Sequence, residues 1–207
     1  MAINENNLVV FLKYPEQGKV KTRLAKDIGD KKALLIYKNL VPRVLKQINA
    51  NNYDISVCYY PENKVIKIQK WINSERYKYS PQTGGDLGIK MLNAFNDSFS
   101  SGYKRSVIIG TDCPDIDDDL VNTSFNLLNS NDLVIGPATD GGYYLIGLRE
   151  SLEALFTNIS WGTDTVLKQT LNIVSKLNIS CKLLDFKTDI DTVEDLYNYK
   201  YLLNKQS

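Results

Sequence analysis

Apolar and polar positions alternate between two patterns along this chain. Short uncharged runs occur at Leu8 to Leu12, Val107 to Gly110 and Leu133 to Gly136. Each is too short for a helix and lacks a polar face, which predicts strands buried on both sides of a largely parallel sheet. Tyr53 to Tyr60 is a further strand, with Ile55, Val57 and Tyr59 on one face. Tyr77 to Tyr79 forms a short extended piece, Tyr143 to Leu148 pairs back on Leu133 to Gly136 as a hairpin, and Cys181 to Phe186 is the last strand. Between these lie stretches whose apolar residues recur every three or four positions, the helical period. They predict a long helix over Asp30 to Asn49 with Pro42 inside it, and a short one through Val65, Ile68 and Ile72. Further helices carry Leu87, Met91, Phe95 and Phe99, then Leu120 to Leu128, then Val166, Thr170, Val174 and Leu177, with a final one after Thr192. Strands alternating with helices, without repeat or linker, predict one α/β domain over residues 1–207. Its central sheet is mixed but mostly parallel and flanked by helices.

Composition narrows the class. The chain has 207 residues and a net charge of +1, so no strong field selects nucleic acid as the main ligand. No apolar run is long enough for a membrane span. Met1 to Asn7 is polar, which does not fit a secretory leader. Cys58, Cys113 and Cys181 are far apart and form no paired motif, as expected of a reduced, cytoplasmic protein. The sequence has no histidine. Ser-His-Asp triads, Cys-His pairs and histidine metal sites are therefore excluded, leaving carboxylates, Lys, Arg, backbone amides and a cation for any chemistry.

The candidate chemistry sits at the ends of the buried strands. Val107 to Gly110 runs into Thr111-Asp112-Cys113-Pro114-Asp115, and Pro114 ends the strand. Asp112 therefore lies at the carboxyl edge of a central strand, where open α/β sheets bind ligands. Carboxylates there suit Mg²⁺, a hard cation that shares oxygen ligands with phosphates. Asp115, Asp117 and Asp118 read instead as turn and cap residues of the next helix. Lys19, Lys21 and Arg23 put three cations in five residues just after the first strand, around Thr22. They are either a phosphate site or a solvated basic face; the Walker spacing is missing. Gly84-Gly85-Asp86-Leu87-Gly88 is either a ligand loop exposing helix amides or a plain turn capped by Asp86. Asp140-Gly141-Gly142-Tyr143 is either a hairpin turn or a second approach to the same cation. Thr163 is expected to cap the helix after Trp161, and Asp191 or Thr192 to cap the last one, with capping the main role expected of Asp191. Asp189 has no such duty and is free to reach the site.

The motifs Phe11-Leu12-Lys13-Tyr14-Pro15 to Gly18, Lys21-Thr22-Arg23-Leu24, Gly85-Asp86-Leu87-Gly88, Gly110-Thr111-Asp112-Cys113-Pro114, Gly136-Pro137-Ala138 with Asp140 to Tyr144, and Asp189-Ile190-Asp191-Thr192 occur in order across nearly the whole chain. This resembles the bacterial GT-A-type glycosyltransferases also called radical-SAM/selenodomain-associated transferases, and more distantly the 2-phospho-L-lactate guanylyltransferases. Tyr14 and Thr111 stand where relatives often carry Ala and Ser. The resemblance implies a Rossmann-like GT-A (nucleotide-diphospho-sugar transferase) fold. It also implies a transferase using Mg²⁺ or Mn²⁺, a nucleotide or nucleotide sugar, and an acceptor. On that reading Lys21, Thr22 and Arg23 hold phosphates, and Gly84 to Gly88 with Thr111 meet the nucleotide. Asp112, Asp140 and Asp189 serve the metal, with Asp112, Lys21 and Arg23 as the catalytic set. Gly141, Gly142, Tyr143 and Trp161 face the acceptor; the aromatic set Tyr143, Tyr144 and Trp161 is either a face for a sugar or core. Glycosyl transfer, nucleotidyl transfer with pyrophosphate release, and non-catalytic nucleotide binding all remain open.

Overall fold

The computed structural model describes residues 4–48, 52–74 and 76–203. Seven strands form one sheet: β1 (Asn6–Lys13), β2 (Asp54–Tyr60), β3 (Lys78–Pro81), β4 (Arg105–Ile109), β5 (Leu133–Pro137), β6 (Tyr143–Leu148) and β7 (Cys181–Leu183). Their order is β3-β2-β1-β4-β6-β5-β7. Only β6 runs against its neighbours β4 and β5, so the hairpin makes the sheet mixed. The helices are α1 (Thr22–Ile28), α2 (Asp30–Gln47), α3 (Val65–Ile72), α4 (Leu87–Ser100), α5 (Asp118–Leu127), α6 (Val166–Lys176) and α7 (Val193–Leu196).

The uncharged runs are central strands because both of their faces are covered. Leu8, Val10 and Leu12 of β1 pack on one side with α2 residues such as Ile36, Leu40 and Val44. Val9 points the other way, toward Met91 and Phe95 of α4. In β4, Val107 and Ile109 join the first layer and Ile108 the second. Each fully buried aliphatic side chain of this kind contributes roughly 1.5–3 kcal/mol. Two covered faces thus fix the register of the strands whose ends carry the site.

Several boundaries differ from the sequence expectation. A helix starting within the basic run was not expected; α1 begins at Thr22, directly after Lys21. The long helix ends at Gln47, and Asn49 lies outside the described residues, as do Met1 to Ile3. The last strand stops at Leu183, although the Leu184 amide still donates to the Ile135 carbonyl at 2.9 Å. Leu87 and Leu177 do not join the core: they are 44% and 54% exposed. Asp117 caps α5 through the Leu120 amide, as expected. Thr163 does not cap α6; its hydroxyl donates to the Ser160 carbonyl, and the helix starts after Thr165. Among the described residues, no helix is long and apolar enough to cross a membrane.

Candidate functional site

The site is built at the carboxyl ends of β1 and β4, which pair in parallel. Lys21, the residue before α1, adopts φ 49° and ψ 43°. The other described non-glycine residues at positive φ are asparagines, which tolerate that region better than lysine. This strained turn aims the Lys21 side chain inward, where only 2% of it is exposed. Its Nζ lies 2.6 Å from Asp112 Oδ1 and 3.3 Å from Asp191 Oδ1. Burial alone would lower the pKa of this amine, but the two carboxylates hold it above its ordinary value. Arg23, on the first turn of α1, reaches the other oxygen of Asp191 at 3.3 Å and stays 58% exposed.

Asp191 is therefore not the helix cap. Thr192 caps α7, its hydroxyl accepting from the Asp195 amide while the Asp195 carboxylate accepts from the Thr192 amide. That reciprocal box leaves Asp191 free for Lys21 and Arg23. The same segment is clamped to β4, because the Ile190 amide donates to the Asp112 carbonyl at 2.9 Å. With Ile190 buried, Asp189 and Asp191 flank it toward the site. The Oδ1 atom of Asp189 is buried without a hydrogen-bond partner. Burial first, then repulsion from Asp112, outweighs attraction to Lys21 and pushes the Asp189 carboxyl up to about 8.

Two hollows open here. The first, about 400 Å³, is lined by Lys19, Lys21, Thr22, Gln82, Thr111 and Asp112 among others. The second, about 450 Å³, is lined by Asp140, Gly142, Trp161, Gly162 and Asp189 among others. Lys13, Arg23, Leu87, Tyr143 and Asp191 line both, so the hollows adjoin. A smaller hollow of about 160 Å³ lies under the amino ends of β1 to β3. Its Lys78 and Tyr103 side chains pair with each other and with Asp54 beside it.

The other expected residues divide between these walls and the scaffold. Of the Gly84 to Gly88 loop, only Leu87 faces the hollows. Asp86 caps α4 by accepting from the Ile89 amide, and Gly84 packs on Ile89 and Asn93. Gly85 has open space around it, while a side chain at Gly88 would overlap Phe156 and the Trp161 indole. Gly88 therefore seats Trp161, which meets Tyr143 edge to face at 6.2 Å. Gly141 has φ 88° and touches the Asp164 backbone too closely for a side chain. The Gly142 amide donates to Asp140 Oδ1 at 3.0 Å. Tyr144 is core rather than site: it is buried beside Gly136, and its hydroxyl donates to the Asp185 carbonyl.

Sequence reasoning missed Asp191, Gln82 and Tyr37 as site residues. The alternation Asp189-Ile190-Asp191 was the available signal for Asp191, since a buried Ile190 turns both acids the same way. The Tyr37 hydroxyl accepts from the Lys13 amide and donates to the Lys13 carbonyl, closing the end of β1.

Residues 44–163 match the family described as uncharacterized protein conserved in bacteria (DUF2064), and the chain belongs to it. Among solved structures it is similar to a candidate nucleotide-diphospho-sugar transferase from Desulfovibrio desulfuricans G20. That match has 37% identity and TM-score 0.90, over 99% of this chain and 90% of the other. A nucleotidyl transferase from Methanothermobacter thermautotrophicus shares the fold at 12% identity and TM-score 0.63, over 96% and 97% of the two chains. Rv0371c from Mycobacterium tuberculosis H37Rv, in complex with manganese, shares it at 13% identity and TM-score 0.52, over 99% and 100%. No curated protein matches the sequence. The chain thus has the α/β fold of nucleotide-diphospho-sugar transferases, with transferases among its structural neighbours.

Proposed function

We propose that this protein is a divalent-cation-dependent transferase that uses a nucleotide-activated donor, with glycosyl transfer from a nucleotide sugar as the leading reaction. The observation that carries this reading is the Lys21–Asp112–Asp191 junction in the first of two adjoining hollows, one cationic and one acidic and aromatic, with Asp191 lining both.

The residues present fit a hard cation. Asp189 Oδ1 is buried and unpartnered, and the neighbouring Asp112 shares the need for positive charge. Among the described residues no three acidic or thiol side chains form a ready cage. Mg²⁺ and Mn²⁺ sites of this class need none, because water and substrate phosphates complete the shell. Asp112 and Asp189 would hold the ion, with Asp140 on the acceptor side. A bound cation supplies Lewis-acid polarisation of phosphate oxygens and offsets charge on the leaving group.

The chain's own side chains do the rest. Lys19, Lys21 and Arg23 neutralise and orient the donor phosphates, Arg23 by a two-pronged contact that Lys cannot copy. Tyr143 and Trp161 present an aromatic wall on which a sugar ring can pack. With no histidine base, rate enhancement rests on positioning and on fixed charge in a partly dry site.

Nucleotidyl transfer is the second reading, favoured by one observation. Lys13, Lys19, Lys21 and Arg23 all line the first hollow, a load of cations suited to a triphosphate. Incubation with Mn²⁺, panels of nucleotide sugars and nucleoside triphosphates, and cell extract as acceptor source separates the two. Free nucleoside diphosphate supports glycosyl transfer, and pyrophosphate supports nucleotidyl transfer. Nucleotide binding without either product leaves a non-catalytic binding protein.

A further inference from the structure

The packing of α4 on the sheet changes character toward the end of the helix. Met91 and Phe95 join an apolar layer with Val9 and Ile108. Ala94, Ser98 and Ser101 lie on one stripe at helical spacing, and these small side chains line the hollow of about 160 Å³. Facing them are Asn7 of β1, Ser56 of β2 and Lys78 of β3. Asn7 and Ser98 are only 2% and 4% exposed. Ser106, opposite Asn7 on β4, is fully buried, and its hydroxyl has no partner. Polar side chains so deeply placed are costly unless their hydrogen-bonding capacity is met.

Here that capacity is half used. Ser56 Oγ donates to Asn7 Oδ1 at 2.9 Å, and Asn7 Nδ2 donates to Ser98 Oγ at 2.9 Å. Side chains from two strands and a helix thus form one directed relay. An amide carries two N–H groups, and a hydroxyl both donates and accepts. Among the described residues, the relay therefore ends in a spare donor at Ser98 and a spare acceptor at Ser56. Ser101, by contrast, returns its hydroxyl to its own helix at the Asp97 carbonyl. Lys78 is matched by Asp54 and Tyr103. Asp97 also lines the hollow, with no ion pair among the described residues.

We infer that this hollow is a second ligand site, for a neutral polyol the size of one sugar ring. Adjacent hydroxyls suit the relay, since one can donate to Ser56 while its neighbour accepts from Ser98. An anion only accepts. It would leave Ser56 unmatched and face both Asp97 and the negative end of the α4 dipole. An ammonium group only donates and would leave Ser98 unmatched, close to Lys78. The volume is about five times the roughly 30 Å³ share of a water molecule, room for one small ring and not for a nucleotide. The hollow lies at the amino ends of the strands and the candidate transferase site at their carboxyl ends, so this site stands apart from the transferase reading.

The test is NMR titration of the full isotope-labelled chain with glucose, galactose, myo-inositol and glycerol, read at the backbone amides of Asn7, Ser56 and Ser98. At least one of the three rings should saturate these amides with a Kd below about 10 mM, and glycerol, which fills only part of the hollow, should bind at least about tenfold more weakly. Inorganic phosphate and ethylammonium should leave these amides unmoved. Ser98→Ala removes the donor end of the relay and should weaken the ring ligand at least about tenfold, the scale of one hydrogen bond. Ser101→Phe, at an exposed position, should obstruct the hollow to a similar extent with thermal unfolding unchanged. Unchanged affinity in a folded Ser98→Ala or in Ser101→Phe overturns the site. Saturation by phosphate or ethylammonium, or glycerol binding as tightly as the rings, overturns its assignment to a ring polyol. If no ring gives saturable shifts, the hollow holds water only and the inference falls. None of these outcomes touches the transferase reading.

Discussion

Lys21 Nζ lies 2.6 Å from Asp112 Oδ1, and this pair ties the turn after β1 to the end of β4. A lysine this buried, in a backbone conformation that costs about 1–2 kcal/mol for a non-glycine residue, is an expensive way to hold a loop. The strain is intelligible if the amine is kept for a ligand.

Lys21→Met separates these uses. Asp112 Oδ1, the oxygen that Lys21 Nζ meets, is buried, so the variant leaves a carboxylate oxygen without its cation. Removing one partner of a buried ion pair costs about 3–5 kcal/mol. Urea unfolding should therefore lose roughly that much, and nucleotide affinity, measured where the variant is still folded, should fall at least about tenfold. Unchanged affinity in the folded variant would make Lys21 purely structural.

Neighbouring residues of the last segment should behave oppositely. Thr192→Ala removes a helix cap and should cost about 1 kcal/mol of stability with little effect on ligand binding. Asp191→Ala leaves the cap intact and removes a partner of both Lys21 and Arg23. It should alter nucleotide affinity more than stability, and calorimetry alongside urea unfolding reads both. The opposite assignment would restore Asp191 to a capping role.

Arg23→Lys keeps the charge but loses the planar fork. Affinity for a nucleoside diphosphate should fall by about 1–2 kcal/mol, the difference between a two-pronged and a single charged hydrogen bond. Equal affinities in a calorimetric titration would return Arg23 to a solvated helix face.

Far from the site, Asp54 sets an acid limit. Burial tends to raise its carboxyl, but hydrogen bonds from Tyr103, Asn4 and Lys78 outweigh it and hold the pKa below the ordinary value. Its stabilising effect is thus present above the unfolded carboxylate value of about 3.9 and lost as pH falls through the lower folded value. Tyr103→Phe removes one of those bonds and should raise the pH midpoint of acid unfolding, followed by circular dichroism. An unmoved midpoint would mean that the cluster carries no linkage.

The elements most legible in the sequence were those whose burial is two-sided. Leu8 to Leu12 and Val107 to Gly110 could be read as central strands because no polar residue interrupts them. α1 was not legible, since Thr22 to Ile28 buries only Leu24 and shows no apolar stripe. Asp112 could be picked out from its place between a strand and a proline. Asp191 could not, because an acid before Thr192 looks like a cap until the Thr192–Asp195 box is seen to take that duty. Gln82 carries no local signal at all. Its place in the wall depends on hydrogen bonds to the carbonyls of Leu12 and Cys58, which only the parallel pairing of β1 and β2 brings together. The helical period put Leu87 in the core, where it is not, while Tyr144, readable as sugar wall or as core, is core.

The most direct test is titration of nucleotide, with and without Mn²⁺, against the native protein and Asp112→Asn. The substitution keeps the shape of the side chain and removes its charge. Nucleotide binding should require the cation in the native protein. In the variant it should weaken by on the order of a hundredfold, the scale of losing a metal-site partner. Binding that is equally tight with a chelator present, or unchanged in Asp112→Asn, would contradict a cation-dependent nucleotide site at the Lys21–Asp112 junction.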